Sequence, residues 1–580
     1  MSNPNSPSST LFAAFWLVFF ALRQQGCIIR TKINQKNYAE RCFAENLLEF
    51  DSSQPLQKQF LVIRNCFFVA ILQKCDILGG NTLELIERVN ALVWGTPALI
   101  LILGVGFYLS VRTRFVQIRL FPQALRSFFQ KFRRSGETID GVSPYQALCT
   151  ALAATVGIGN LAGVAGAIAL GGPGAIFWLW ICALLGMAIK FAEATLAVRY
   201  SKVNGQGERV GGPMHMIEQG LGKRYRFLAV LYCFFGVVAA FGVGNATQIN
   251  ALIGGVNSVI TAFGGQESGR LNVVLGIGLA LLILLMLLGG AKRIGLIAER
   301  LVPFASIAYL LLGCGVLIAR SSQIPAAFAA IIKGAFNPQA VTGGVFGSVF
   351  IALRVGVSRG TFTNEAGMGT AAIAHGAAQV DHPAEQGLMG IMEVFLDTIV
   401  ICTMTALVIL CSGIPIPYGI DQGILLTNRA FSAVYGEWIT VPIAIALCCF
   451  ALATVLGWGL YGARCAQYLF GDKAWKTFVY LQAVTVVLGA ILNTGTVWLL
   501  SETVNGLMAI PNLLALAMLS PELCRLTKNF TKRQDTKGGT YETIKNCKQV
   551  AGISHSQIPP AGRKGKGRWQ EDLSSQHWSA

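Results

Sequence analysis

Thr155, Val156, Gly157, Gly159 and Asn160 stand together in the stretch ALAATVGIGNLAGVAG, residues 151–166. This stretch lies inside an apolar segment that runs from about Tyr145 to Leu170. A helix in hydrocarbon must pair its backbone groups internally, because lipid offers no hydrogen-bond partner. Glycines grouped in such a helix read in two ways. They let a neighbouring helix approach closely, or they mark a break. A break frees N–H and C=O groups in mid-span, and these suit a carboxylate and a desolvated cation or ammonium group. A second interrupted stretch, VGVSRGTFTNEAGMG over residues 355–369, offers the backbones of Gly356 and Gly360 in the same way. Gln248, within a long apolar run from Phe227 to Phe263, can offer its amide to a substrate.

The elements that must hold these residues are membrane helices. The 580-residue chain is 53% hydrophobic and only 13% charged, against about 25% charged residues in a soluble domain. Several apolar runs approach the ~20 residues needed to cross ~30 Å of hydrocarbon. The fold class is therefore an all-α integral membrane protein. The net charge of +18 resides mostly in loops and tail. Seven Lys/Arg and no acid lie between Arg112 and Arg134, and eleven Lys/Arg against four acids follow Leu523. Such clusters stay on the cytoplasmic side, so the charge is a topology signal and nucleic acid is not an expected partner. The fifteen cysteines show neither metal-ligand spacing nor a disulfide framework.

Residues 1–82 differ from the rest. Leu11–Leu22 is too short to span and lacks a basic lead. Phe60–Leu78 is interrupted by Arg64, Asn65 and Lys74. This segment is expected to be an extension outside the working fold, from a mis-assigned start. From residue 83 the pattern is regular. Residues 83–111 contain a first span, and 112–144 a basic cytoplasmic loop. Residues 145–320 hold five spans, 321–341 an outer linker and 342–520 five more. Residues 521–580 form a basic, disordered cytoplasmic tail. Eleven transmembrane helices result. With the peripheral first one set aside, the two sets of five each open with a glycine-interrupted helix. An odd number of spans per set inverts the second relative to the first, and paired interrupted helices point to a midplane binding site.

The residues also resemble a known family, the alanine/glycine:cation symporters or sodium:alanine symporters, from about Leu83 to Leu519. The matching stretches include SPYQALCTALAATVGIGNLAGVAGAIALGGPGAIFWLW (143–180), GNATQIN (244–250), TNEAGMGTAAIAHGAA (363–378) and LGWGLYGARCAQYLFG (456–471). The resemblance implies a LeuT-like fold and sodium-driven symport of a small neutral amino acid, alanine or glycine, in the cell membrane, with Na⁺ as the coupling ion and no enzyme activity. It implies substrate contacts at Thr155, Gly157, Gly159, Asn160 and Gln248, and an aromatic wall at Trp458. It implies sodium ligands at Thr155, Val156, Gly159 and Thr454. Family members commonly carry two adjacent hydroxyl residues before LGW, where this chain has Ala453-Thr454, so one oxygen ligand is lost. Proton coupling on the same fold, or amino-acid sensing without transport, are the alternative readings.

Other charges within the spans carry structural expectations. Lys190 and Glu193, three apart, are close enough to pair at the inner end of their helix, and an inter-helical or interfacial ion pair is expected rather than a gate. Arg354 and Arg359 are candidates for an inner gate, a structural pair or snorkelling side chains. Glu393 and Asp397, four apart, share a helix face and are candidates for proton coupling, with a structural role beside Lys190 or an arginine preferred, and Glu365 holds its helix. Mass spectrometry of the mature N-terminus tests the extension: no peptide from residues 30–50 is expected in membrane-inserted protein.

Overall fold

In the computed structural model the described residues are 80–133, 141–205, 207–342, 348–491 and 495–534. The expected N-terminal extension up to residue 79 and the tail beyond 534 fall outside them. The elements are helices, apart from one two-stranded antiparallel hairpin, β1 (Lys202–Val203) with β2 (Arg209–Val210).

The helices are α1 (Gly80–Val93), α2 (Thr96–Arg112), α3 (Phe121–Arg133), α4 (Pro144–Thr155), α5 (Val164–Gly171) and α6 (Gly174–Arg199). Then come α7 (Arg226–Phe241), α8 (Thr247–Ala262), α9 (Gly269–Leu287), α10 (Gly290–Ala319) and α11 (Ile324–Phe336). They continue with α12 (Val349–Asn364), α13 (Thr370–His375), α14 (Pro383–Val394), α15 (Thr403–Cys411) and α16 (Ile424–Tyr435). The last are α17 (Thr440–Phe470), α18 (Ala474–Ile491) and α19 (Gly495–Met518). Among the described residues, nine helices are long and apolar enough to cross a membrane, ten if α4 and α5, bent by 54° at their junction, count as one span. Length and composition thus support ten of the eleven expected spans. The remaining one is α12, which has 16 residues and carries Arg354 and Arg359.

The two interrupted spans lie side by side and antiparallel: α4 packs on α13, and α5 packs on α12. The helices that follow them repeat this relation. α6 packs along α12, α14 packs on α4, and α6 and α14 pack on each other. This reciprocity is what an inverted repeat requires of the first two helices of each set. The run Phe227–Phe263 belongs to one continuous 39-residue span, α7 and α8 joined by the π-helical turn Gly242–Ala246, and it packs on α17. The first span is peripheral as expected. α2 rests against α6 and α19, and its Ile100 and Phe107 are exposed on the outer face.

Local sequence sets the entry to the first interrupted span. Ser143 Oγ accepts the Gln146 N–H, while Gln146 Oε1 accepts the Ser143 N–H, both at 3.1 Å. This capping box satisfies donors that would otherwise be orphaned, and Pro144 sits at N1, where no N–H is needed. Before it, α3 lays Phe128 and Phe132 against Tyr145.

Gly356 and Gly360 lie inside the unbroken helix α12. The expectation that their backbones are freed is corrected: the interruption comes later, after Asn364. Their lack of a side chain serves packing. A Cβ at Gly356 would run into Ala175 O and Trp178 Cβ, and one at Gly360 would sit 3.2 Å from Cys182 Cβ. Gly356→Leu is therefore expected to destabilise the protein by about 1–3 kcal/mol or more. A lowered thermal unfolding midpoint in detergent, with reduced monodisperse yield, checks this.

Candidate functional site

The chain leaves helical geometry at Val156, whose ψ is 102°. It resumes as a π-helical turn, Gly159–Gly163, that leads into α5. The Gly157 N–H freed by this break is taken by Asn160 Oδ1 at 2.8 Å, and the Asn160 N–H returns to Gly157 O at 3.2 Å. Asn160 Nδ2 donates 2.7 Å to Asp397 Oδ1 and 3.2 Å to the Asp397 carbonyl. A single amide thus ties the break to the π-helical turn Phe395–Cys402 between α14 and α15. π-Turns displace carbonyls from the α-ladder and recur at functional sites. Three of them, 159–163, 242–246 and 395–402, fall on segments that carry Asn160, flank Gln248 and carry Asp397.

Two other spans reach Gly157. A Cβ there would lie 2.8 Å from Thr454 Oγ1 and 3.8 Å from Gln248 Oε1. Thr454, on α17, spends its own hydroxyl proton on Phe450 O at 3.0 Å, which leaves its oxygen lone pairs as acceptors. Gln248 donates to Val243 O at 3.0 Å, and its buried Oε1 has no hydrogen-bond partner among the described residues. Thr155 Oγ1 donates back to Ala151 O at 3.3 Å. Gly159 faces Thr363 Cγ2, 3.3 Å from where its own Cβ would be. The structure thus brings Thr155, Gly157, Gly159, Asn160, Gln248 and Thr454 to one buried place. Its oxygen donors, with the Val156 carbonyl turned out of the helix, suit a hard monovalent cation and a small zwitterion.

The second interruption, Glu365–Gly369, has a different character. Glu365 adopts the left-handed conformation (φ 52°), as do Gly367 and Gly369. Their freed donors are already satisfied by protein. Glu193 Oε1 accepts the N–H groups of Gly367 and Gly369, both at 3.0 Å, and Asn512 Nδ2 at 2.7 Å. Glu365 accepts from Thr370 Oγ1 at 2.6 Å and from Trp458 Nε1 at 3.1 Å, in keeping with a helix-holding role. Trp458 is fully buried, with its Cβ against Gly244. Its described contacts wall the second interruption.

Lys190 does not pair with Glu193. It crosses to Glu393 at 2.8 Å. His375 Nε2 lies 2.9 Å from the other Glu393 oxygen, and Gln386 Nε2 donates to His375 Nδ1 at 2.7 Å and to the Pro144 carbonyl at 3.2 Å. Arg359 is not at the basic end of the bundle. It meets Asp421 of the 412–423 loop at 3.3 Å, at the opposite end, where that loop folds onto α5 and the Gly419 N–H bonds Ala169 O. A cavity of about 1040 Å³ opens at the basic end, lined among others by Pro144, Tyr145, Arg209, Lys292 and Arg464. There Arg464 meets Glu208 at 2.8 Å.

A profile described as the sodium:alanine symporter family matches residues 81–545. The chain belongs to the sodium:alanine symporter family. It is 42% identical to the sodium/alanine symporter AgcS of Methanococcus maripaludis over 454 residues, covering 77% of this chain and 97% of that protein. It is also 42% identical to an uncharacterised transporter of Haemophilus influenzae over 456 residues, 78% of this chain and 96% of that one. The probable sodium/glutamine symporter GlnT of Bacillus subtilis is 36% identical over 450 residues, 77% of this chain and 90% of that one. As a member of this transporter family the chain is a multi-pass secondary transporter, not an enzyme.

Asp397, Glu193 and Asn512 as partners of the two breaks were not legible in the sequence. Asp397 stood out only as an acid sharing a helix face with Glu393, and Asn512 did not stand out at all. Replacing Glu193 with Leu strands the buried N–H groups of Gly367 and Gly369 and takes one of the two acceptors of Asn512 Nδ2, a loss of roughly 2 kcal/mol or more. Glu193→Gln keeps an acceptor oxygen. Thermal unfolding in detergent is expected to show the leucine variant failing and the glutamine variant largely retained.

Proposed function

We propose that this protein imports alanine or glycine with Na⁺ across the cell membrane by alternating access, with the break around Gly157 as the shared site. The convergence of Asn160, Gln248 and Thr454 on Gly157 is the observation that carries this reading. The substrate carboxylate docks on N–H groups freed at Gly157 and Gly159, and the unpartnered Gln248 Oε1 receives its ammonium. Na⁺ sits between Thr454 Oγ1 and the carbonyls of Thr155, Val156 and Gly159. Trp458 keeps the pocket small from the α17 side. Gly157 leaves so little space to Thr454 that a substrate side chain larger than a methyl group is disfavoured. Gly356 and Gly360 take no part in binding.

The transport core is residues 145–320 and 342–520, with α2 outside it. The basic loops, the β1–β2 hairpin and the tail face the cytoplasm, in accord with the retention of positive charge there. Coupling supplies the energy for uphill uptake, since each charge moved inward gains ~2.3 kcal/mol per 100 mV. Ala453 stands one residue before Thr454 and adds no hydroxyl, so the sodium site relies on Thr454 and backbone oxygens.

Uptake of labelled L-alanine into proteoliposomes tests this, with an inward Na⁺ gradient against K⁺ and choline controls. Accumulation is expected only with Na⁺, and Asn160→Ala and Thr454→Ala are expected to lower it at least about tenfold, a loss near 1.4 kcal/mol. Accumulation that follows a proton gradient instead would replace sodium coupling with proton coupling. Binding without flux would identify a sensor.

A further inference from the structure

Several cations at the basic end of the bundle have an acid within reach. Arg199 meets Glu522 at 3.1 Å, and Arg464 meets Glu208 at 2.8 Å. Arg293 and Arg300 of α10 differ. Both are exposed, and neither has an ion pair among the described residues. Glu299, beside Arg300 in sequence, is engaged by α4: its Oε2 accepts Gln146 Nε2 at 2.9 Å. The depth of the two arginines follows from the helix itself. Residues 301–319 of α10 carry no charge. At 1.5 Å per residue they span about 28 Å, close to the thickness of the hydrocarbon. Arg300 therefore stands at the hydrocarbon edge, and Arg293 two turns, about 10 Å, further out. A cation on the outer face at that depth is costly unless an anionic group meets it.

The same two arginines line a shallow groove of about 460 Å³ with Leu296, Ile297, Leu301 and Phe304. The groove holds two cations, no acid and four apolar side chains. Residues 293, 297, 300 and 304 follow the three-to-four spacing of one helix stripe. The stripe runs on through Ile307 and Leu311. Phe304, Ile307 and Leu311 are 64%, 54% and 66% exposed. An apolar track thus leads from the arginines into the hydrocarbon, the complement of an anionic head with an acyl chain. The inner face of the same turns bears on the first interrupted span. A Cβ at Gly295 would lie 3.6 Å from Gln146 Cβ and from Thr150 Oγ1, both on α4.

We propose that this groove binds an anionic phospholipid of the leaflet at the basic end, with its phosphate held by Arg293 and Arg300 and an acyl chain along Phe304, Ile307 and Leu311. Guanidinium groups suit this role, because their planar donor fork matches phosphate oxygens. A zwitterionic headgroup brings its own cation, which the two arginines repel, so it binds more weakly. The bound lipid neutralises charge at the hydrocarbon edge and braces the turns against which α4 begins. The site is separate from Gly157, and it stands whichever substrate the protein carries.

Native mass spectrometry of the full-length protein tests this. The protein is delipidated in detergent and titrated with equimolar phosphatidylglycerol and phosphatidylcholine, with no amino acid present. The wild type is expected to hold phosphatidylglycerol at least about tenfold more tightly than phosphatidylcholine. Each arginine is expected to contribute about fivefold. Arg293→Gln combined with Arg300→Gln should therefore weaken phosphatidylglycerol binding about twentyfold and abolish the preference. Arg293→Lys combined with Arg300→Lys keeps both charges and should retain most of it. Lys223→Gln combined with Arg224→Gln removes two exposed charges from the same end of the bundle and should change nothing. Equal binding of the two lipids by the wild type overturns the proposal. So does a glutamine variant at positions 293 and 300 that keeps the preference. An equal loss in the Lys223 and Arg224 variant also overturns it, because it would show a general attraction to the basic end and no site on α10.

Discussion

Hydrocarbon leaves no backbone donor to water, and this constraint governs both interruptions in the bundle. At the second, Glu193 Oε1 gathers the N–H groups of Gly367 and Gly369 and the amide of Asn512 onto one atom. That carboxylate, one turn below the Lys190–Glu393 pair on α6, makes an unwound segment tolerable inside a membrane. At the first, no charge is spent in this way. The Gly157 N–H is covered only by the neutral side chain of Asn160. One break is held by a carboxylate, and the other is closed by a neutral amide. The proposed binding site is of the second kind, because a ligand must displace whatever satisfied the backbone before it.

The antiparallel pairing of the interrupted spans explains how these two breaks cooperate. α4 lies on α13 and α5 on α12, so in the proposed alternating access a tilt of one span relative to the α6 and α14 pair would open one end as it closes the other. The contacts at the ends are of the kind that such a tilt would exchange. At the basic end they are the Ser143 cap, the Gln386–Pro144 bond and the Arg464–Glu208 pair. At the other end, Arg359 holds Asp421, and the 412–423 loop lies on α5. The Arg359–Asp421 pair, partly exposed on both sides, is modest in energy. The centre, by contrast, is packed so closely that Gly157 meets Thr454, and Gly457 meets Ala154.

Much of this organisation was legible in one dimension. The crossing helices follow from apolar run length, the peripheral first span from the five-plus-five count, and the first interruption from four glycines beside a hydroxyl and an amide. The second interruption lies within the expected stretch 355–369, but at its far end. Gly356 and Gly360 looked like breaks, yet they are contact points for α6, and the chain unwinds only at Glu365–Gly369. A helical glycine that admits a neighbour and one that ends a helix have the same letter. They differ in what lies opposite, and that is set by another helix about 180 residues away.

The sequence by itself determined the membrane class, the pattern of spans and the residues at the first break, because periodicity, length and the hydrocarbon requirement act locally along the chain. Its motifs also determined the family. Only the tertiary structure decided who satisfies whom: Lys190 with Glu393 rather than Glu193, Asn160 with Asp397 across 237 residues, and Glu193 with the loop at Gly367 and Gly369. These choices turn on distances of a few ångströms between helices. Several acids and amides at similar depth compete for each buried donor, and packing, not residue type, fixes which one reaches it.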